Sequence, residues 1–89
     1  MQQQEVTIIN QLGLHARAAA KLVATASRFE GAVRITKENK TVDAKSIMSV
    51  MMLAASIGTP VIVETEGQDE QQAMQAVVDL INDRFGEEQ

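Results

Sequence analysis

Segments typical of strands and segments typical of helices alternate along this chain, and their order restricts the folds open to it. Apolar residues that alternate with polar ones predict strands, and apolar residues three and four positions apart predict helices. The predicted strands are 5–9, 32–36, 41–45 and 60–65, and the predicted helices are 16–29, 46–55 and a third that begins after Asp69. The order is therefore β-α-β-β-α-β-α, with a hairpin around Glu38-Asn39.

These amphipathic elements must bury their apolar faces together, and 89 residues suffice for one modest core. The least costly arrangement is a single domain over residues 1–89, of the α+β class, whose sheet carries all the helices on one face. Thr7, Arg34 and Thr36 suit the other, solvated face. The residues predicted to face the core are Val6 and Ile8 in the first strand, Ala19, Leu22, Val23 and Ala26 in the first helix, Val50, Leu53 and Ala54 in the second, and Ala73, Ala76, Val77, Leu80, Ile81 and Phe85 in the third.

Acidic residues around the third helix are interpreted as helix-terminal features. Asp69 is predicted to cap the helix, and Gln72 completes a pattern like a capping box. Asp69 and Glu70 also complement the positive N-terminus of this helix. Asp69 and Glu70 need no further role, and Glu87 and Glu88 are predicted to be solvated helix-terminal residues.

The composition disfavours several classes of function. A formal net charge of −4 and a pI near 4.8 argue against nucleic acid as a partner, because its phosphates would be repelled overall. The chain has no cysteine, which removes disulfides and thiolate metal sites. No apolar run is long enough to span a membrane, and residues 1–5 lack the features of a signal peptide. We expect a cytoplasmic protein without cofactor, metal or membrane insertion.

The only histidine of the chain, His15, falls where a loop meets the first helix. Gly13 allows the loop to turn sharply, and the first backbone N–H groups of the helix are left unpaired. Arg17 adds a fixed fork of donors that suits phosphate oxygens. The helix N-terminus also disfavours the imidazolium and keeps the ring neutral and nucleophilic. This combination fits a phosphate held on or beside the imidazole.

Other interpretations of His15 compete with phosphate handling. The simplest is a surface or helix-capping histidine without chemistry. A metal site is disfavoured because no second histidine or cysteine exists to share the ion. Acyl transfer is disfavoured because there is no G-x-S-x-G element and little room for an enclosed cavity. From the residues alone, phosphate handling and an incidental histidine both stay open.

The second helix carries more apolar residues than one buried face requires. If Val50 faces the sheet, then Ile47, Met48 and Met51 are left exposed together. A domain this small cannot cover every side of the helix, and flexible thioethers let one patch fit several partners. The pattern therefore predicts a docking surface.

Two features place this surface near the histidine and suggest how it could be controlled. On the first helix Arg17, Ala20, Ala24 and Ser27 face away from the core, where small side chains would let a partner approach. Ser46 is predicted to cap the second helix. A phosphate on Ser46 would add negative charge beside the patch and disrupt the docking of an acidic partner.

The motifs Gly13-Leu14-His15-Ala16-Arg17, Lys45-Ser46-Ile47-Met48 and Met51-Met52-Leu53 together resemble the HPr phosphocarrier proteins of the bacterial phosphoenolpyruvate-dependent sugar phosphotransferase system. The resemblance runs over essentially the whole chain. It implies an open-faced β-sandwich, in which a four-stranded antiparallel sheet carries three helices on one side. That architecture agrees with the predicted order of elements.

The resemblance also implies roles for individual residues. His15 matches the family's phosphoryl acceptor, Arg17 its phosphate-contacting arginine, and Ser46 its regulatory serine. In the family, the histidine Nδ1 accepts phosphate from enzyme I, charged by phosphoenolpyruvate, and passes it to the IIA component of a sugar permease. Such a protein is a stoichiometric carrier more than a free-standing enzyme. The implied partners are thus enzyme I, IIA domains and an HPr kinase/phosphorylase, and we expect a monomer. The expected partner-binding residues are Ala16, Arg17, Ala20, Ile47, Met48 and Met51.

The chain departs from the family pattern at two positions. Ala18 stands where many members have proline, which leaves the first helical turn less stiff but removes no chemical group. Ser49 stands where many have glycine, which puts the Ser46 switch in doubt. Two alternatives also stay open: a carrier of the nitrogen-related regulatory branch of the same phosphorelay, and a non-catalytic regulatory module in which His15 is incidental.

Overall fold

The computed structural model describes all 89 residues and contains the predicted elements in the predicted order. The elements are β1 (Gln2–Thr7), α1 (Ala16–Ala26), β2 (Ala32–Lys37), β3 (Lys40–Asp43), α2 (Ile47–Met52), β4 (Pro60–Glu66), α3 (Glu70–Asn82) and a short 3-10 turn (Arg84–Gly86). None of the helices is both long and apolar enough to cross a membrane.

One four-stranded antiparallel sheet, in the order β1-β4-β2-β3, forms the base of the fold. Strand β4 lies at its centre, where Val63 pairs with Gln4 of β1 on one side and with Ile35 of β2 on the other. Buried and more exposed residues alternate along β2 and β4, as expected for a sheet covered on one face only. The predicted one-sided α+β architecture is confirmed.

The core lies between the sheet and the helices, and it contains most of the residues predicted for it. In α3, Ala73, Val77 and Ile81 are buried as predicted, but Ala76 and Leu80 are only half-buried. Their places are taken by Met74 and Val78. The buried stripe is rotated because α3 packs against β1, β4 and α1 together.

Two helices end earlier than the sequence predicts. Helix α1 ends at Ala26 because the N–H groups of Arg28 and Phe29 turn back to carbonyls three residues earlier. Helix α2 ends at Met52, and Ala54 then takes a left-handed backbone conformation with φ of 53°. The prediction that Ala54 faces the sheet is therefore wrong: it is exposed, and Ala55 is buried in its place.

Asp69 occupies the N-cap position of α3, but its side chain does not cap the helix. Its carboxylate instead accepts hydrogen bonds from the backbone N–H groups of Glu30, at 2.9 Å, and Gly31, at 3.1 Å. Glu70 is the residue that accepts a hydrogen bond from the Gly67 N–H near this end. The predicted capping box is wrong, and the carboxylate of Asp69 joins the start of α3 to the loop before β2.

Candidate functional site

His15 lies at the start of α1, as predicted. It is the N-cap residue, with an extended backbone, and its carbonyl accepts the first helical hydrogen bond from the Ala19 N–H at 2.8 Å. Its side chain makes no capping bond, so the first N–H groups of α1 have no partner within the helix. The side chain is 25% exposed, which leaves the ring accessible from solvent.

The loop before His15 is held against the segment that follows α2. Gly13 has a φ of +66°, and a Cβ added there would lie 2.5 Å from the carbonyl oxygen of Ala55. The N–H of Leu14 donates to that same oxygen at 2.9 Å. Only glycine allows this approach, which ties the start of α1 to the end of α2.

Arg17 is exposed and forms no salt bridge. Together with Lys21 it lines an open cavity of about 440 Å³, whose wall also includes Leu12 and Glu87. Because its guanidinium is not committed to a carboxylate, its donors remain available to an anion bound beside His15. The structure therefore places His15 and Arg17 together at one end of α1, as predicted.

Glu87 is part of this site, and the prediction that it is a solvated residue is wrong. Its Oε2 contacts Nε2 of His15, and its Oε1 accepts a hydrogen bond from Nδ2 of Asn10 at 3.0 Å. The Glu87 side chain is only 12% exposed, whereas Glu88 is exposed as expected. The site thus contains an acidic residue that the sequence analysis missed.

The backbone after α3 explains how Glu87 reaches His15. Arg84 and Phe85 both adopt left-handed conformations, with φ of 56° and 54°, and this turn inserts Phe85 fully into the core. The Phe85 carbonyl accepts a hydrogen bond from Lys21 Nζ at 2.6 Å, and the Gln89 carbonyl accepts one from the Gln11 N–H at 3.0 Å. The sequence signal was an aromatic residue followed by glycine just beyond the helix.

The hydrogen bond from Asn10 is the main reason that the pKa of Glu87 lies below its ordinary value. The hydrogen bond from His15 lowers the pKa further, and so do the charges of His15 and Arg17. The residue is therefore a carboxylate at neutral pH. Its negative charge therefore lies directly against Nε2 of the imidazole.

The exposure predicted for the apolar residues of α2 is confirmed. Met48 is 67% exposed, and Ile47 and Met51 are also exposed. Leu12 and Met52, which were not among the predicted residues, are exposed as well. On α1 the predicted outward residues Arg17, Ala20, Ala24 and Ser27 are exposed, and so is Ala16.

Ser46 caps α2 as predicted. Its Oγ accepts a hydrogen bond from the Ser49 N–H at 3.4 Å and donates to Ser49 Oγ at 3.0 Å. Ser49 therefore contacts the hydroxyl group that the resemblance assigns to regulation.

No group of three or more acidic or histidine side chains comes close enough to hold a metal ion.

A family model described as the PTS HPr component phosphorylation site matches residues 2–83. The chain belongs to the HPr family. The phosphocarrier protein HPr of Cupriavidus necator is 58% identical to this HPr over 87 residues, with 98% of each chain covered. The phosphocarrier protein HPr of Pseudomonas aeruginosa is 56% identical over 84 residues, with 93% of each chain covered.

Solved HPr structures share the fold of this HPr. A crystal structure of HPr from Thermoanaerobacter tengcongensis matches with a TM-score of 0.96 and 48% identity, and 100% of both chains is covered. HPr from Bacillus anthracis matches with a TM-score of 0.87 and 40% identity over 90% of this chain and 95% of that chain. The chain is thus an HPr phosphocarrier of the phosphotransferase system, and its partners in general are those of that system. The match to the family model ends at residue 83, so Glu87 lies beyond it.

Proposed function

We propose that this HPr accepts a phosphoryl group on Nδ1 of His15 from phosphorylated enzyme I and transfers it to IIA components of sugar permeases. The observation that carries the proposal is the position of His15, a partly exposed imidazole at the N-terminus of α1. Arg17 lies two residues further along, exposed and free of salt bridges. The family supplies the reaction class, and this geometry supports the choice of residue.

Phosphoryl transfer requires the protein mainly to position the reacting groups and to balance their charge. The lone pair of Nδ1 attacks phosphorus, and the bond from phosphorus to the donor atom breaks with its electrons staying on the donor. Helix N–H groups and Arg17 balance the negative charge of the phosphoryl oxygens. Their hold must be moderate, because overstabilising the phosphorylated carrier would slow the next transfer.

Enzyme I and IIA dock in turn on one surface, which the exposed residues of α1 and α2 form. Ala16 and Ala20 present small side chains beside His15, and Ile47, Met48 and Met51 present the adjoining apolar patch. Methionine side chains adapt to different surfaces, so one patch can serve both partners. The carrier acts as a monomer, because the same surface must be free for each encounter.

Regulation by phosphorylation at Ser46 is part of the same proposal. An HPr kinase/phosphorylase would place a phosphate on the Oγ that now caps α2. The negative charge would stand at a favourable helix end and next to exposed Ile47 and Met48, so docking would weaken while the fold persisted.

The decisive experiment supplies phosphoenolpyruvate and enzyme I and locates the modified residue by mass spectrometry. We expect one acid-labile phosphate on His15 in the wild type and none in His15→Ala. Arg17→Ala is expected to slow transfer more than it weakens docking, since its donors contact the transferred group. Phosphate accepted by His15→Ala would refute the assignment of His15, and IIA proteins of the nitrogen-related branch, used as competing acceptors, would reveal that alternative.

A further inference from the structure

We propose that Glu87 is a positioning residue for phosphoryl transfer, which holds the His15 imidazole in the tautomer that leaves Nδ1 free to attack. This inference rests on the proposed function. Its starting point is the double engagement of the Glu87 carboxylate, whose two oxygens contact His15 Nε2 and Asn10 Nδ2. A carboxylate bound at both oxygens and only 12% exposed is held in place, unlike a mobile surface acid.

The chemistry of the contact selects the tautomer. A neutral imidazole carries one proton, on either Nδ1 or Nε2, and an ionised carboxylate can only accept. Since Glu87 is ionised and contacts Nε2, the proton must be on Nε2. The lone pair then lies on Nδ1, which makes no hydrogen bond with the protein.

Asn10 holds the Glu87 carboxylate in place through a hydrogen bond. The residue is fully buried, and its Nδ2 donates both to the Gly13 carbonyl, at 2.8 Å, and to Glu87. Both partners are acceptors, so the orientation of the amide is fixed. Its Oδ1 is buried without any hydrogen-bond partner, which costs stability. The two hydrogen bonds of its NH2 group are therefore the only ones that the Asn10 side chain makes.

The contact with Glu87 strengthens as the phosphoryl group arrives. When Nδ1 forms its bond to phosphorus, the ring gains positive charge, and the Nε2 proton stays between the ring and the carboxylate. A hydrogen bond from a cationic donor to a carboxylate is stronger than one from a neutral donor. Glu87 therefore stabilises the transition state more than the free carrier, and this appears in the rate of transfer and not in the affinity for the donor.

Glu87→Gln is the sharpest variant, with Glu88→Gln as the matched control. A glutamine has one acceptor oxygen for two donors, Asn10 and His15. If the glutamine oxygen keeps the hydrogen bond from Asn10, its NH2 group faces His15. Nε2 can accept a hydrogen bond from this NH2 group only if the ring proton is on Nδ1. The exposed Glu88 undergoes the same change of charge without touching the ring.

Two measurements on the full chain test the inference. Nitrogen-15 spectra of the unphosphorylated His15 ring report where the proton lies. Steady-state transfer catalysed by enzyme I, with this HPr as the varied substrate, separates kcat from KM. In Glu87→Gln we expect the population protonated at Nε2 to fall. We also expect kcat to drop roughly tenfold, because a change of that size corresponds to the loss of about one charge-assisted hydrogen bond, while KM stays unchanged. Glu88→Gln should match the wild type in its tautomer, and any change in its kcat measures the loss of one charge from the cavity that Glu88 shares with Arg17.

The outcomes separate the two proposals. Normal transfer by the wild type, with an unchanged ring spectrum and kcat in Glu87→Gln, would overturn the role of Glu87 and leave the proposed function intact. A higher KM with the same kcat and the same tautomer would also overturn it, since Glu87 would then act only in docking. Failure of the wild type to accept phosphate on His15 would overturn the proposed function itself.

Discussion

Lys37 Nζ donates a hydrogen bond to the backbone carbonyl of Leu53 at 3.1 Å, and this contact joins the β2–β3 hairpin to the end of α2. Lys37 also reaches the Ala54 carbonyl at 3.3 Å, and Lys40 Nζ reaches that of Met52 at 3.3 Å. A helix of six residues has little stability of its own. Positive charge at its C-terminus therefore helps to hold in place the helix that presents the docking patch.

Replacement of Lys37 with methionine should weaken docking while the chemistry at His15 is unchanged. The loss of a cation from a helix C-terminus costs about 0.3–1 kcal/mol, which corresponds to a roughly two- to fivefold change in an equilibrium constant. We expect the KM of enzyme I for this HPr, its substrate, to rise by at most that factor, with kcat unaltered, in steady-state transfer assays. Lys37→Arg keeps the cation and should lie closer to the wild type. A fall in kcat at constant KM would contradict this account.

Much of the fold could be predicted because it depends on short-range patterns. Alternation in β2 and β4, and the three- and four-residue spacing in α1, each reflect a single buried face, so they gave the correct layers. His15 and Arg17 could also be placed, because both lie within the first turn of a helix whose start is marked by Gly13. Features of this kind do not depend on contacts with residues that are distant in sequence.

Features that depend on contacts between distant residues could not be predicted. Glu87 meets His15 across 72 positions of sequence, by way of left-handed residues that no periodicity indicates. Asp69 satisfied the local rule for a helix cap, yet the unpaired N–H groups of the loop before β2 compete for its carboxylate. The sequence identifies which groups can form hydrogen bonds, but tertiary packing decides which partner each one finds.

Asp69 predicts a specific pH dependence of stability. The backbone N–H of Glu30, and then that of Gly31, hold the pKa of Asp69 below the ordinary value. A carboxyl group whose pKa is lower in the folded state than in the unfolded chain stabilises the fold fully above the unfolded pKa, about 3.9. That contribution is lost as the pH falls through the lower folded pKa. The native state should therefore lose part of its stability below about pH 4.

The Asp69→Asn variant isolates this contribution from those of the other acidic groups. An amide has one acceptor oxygen and cannot serve both N–H groups, so the variant should be less stable than the wild type at pH 7. Urea unfolding from pH 7 down to pH 2 should show the two proteins converging as Asp69 protonates. The pKa values of Glu64, Glu70 and Glu87 are also lowered, but these groups are common to both proteins. A stability difference that is the same at every pH would contradict the prediction.

Ser46→Asp should separate the capping role of Ser46 from its effect on docking. Aspartate and asparagine are both good N-cap residues, so Ser46→Asp and Ser46→Asn should each unfold within about 0.5 kcal/mol of the wild type. Only the aspartate adds negative charge beside Ile47 and Met48, which lie exposed in the first turn of α2. A charge at the edge of an interface acts mainly on the association rate. Because the added carboxylate repels an acidic partner, we expect enzyme I to bind Ser46→Asp roughly three- to tenfold more slowly at low salt. Binding kinetics measured at two salt concentrations test this, because the deficit should shrink as salt screens the charge. Equal slowing in Ser46→Asn would show that the hydroxyl group, and not the charge, is what the partner recognises.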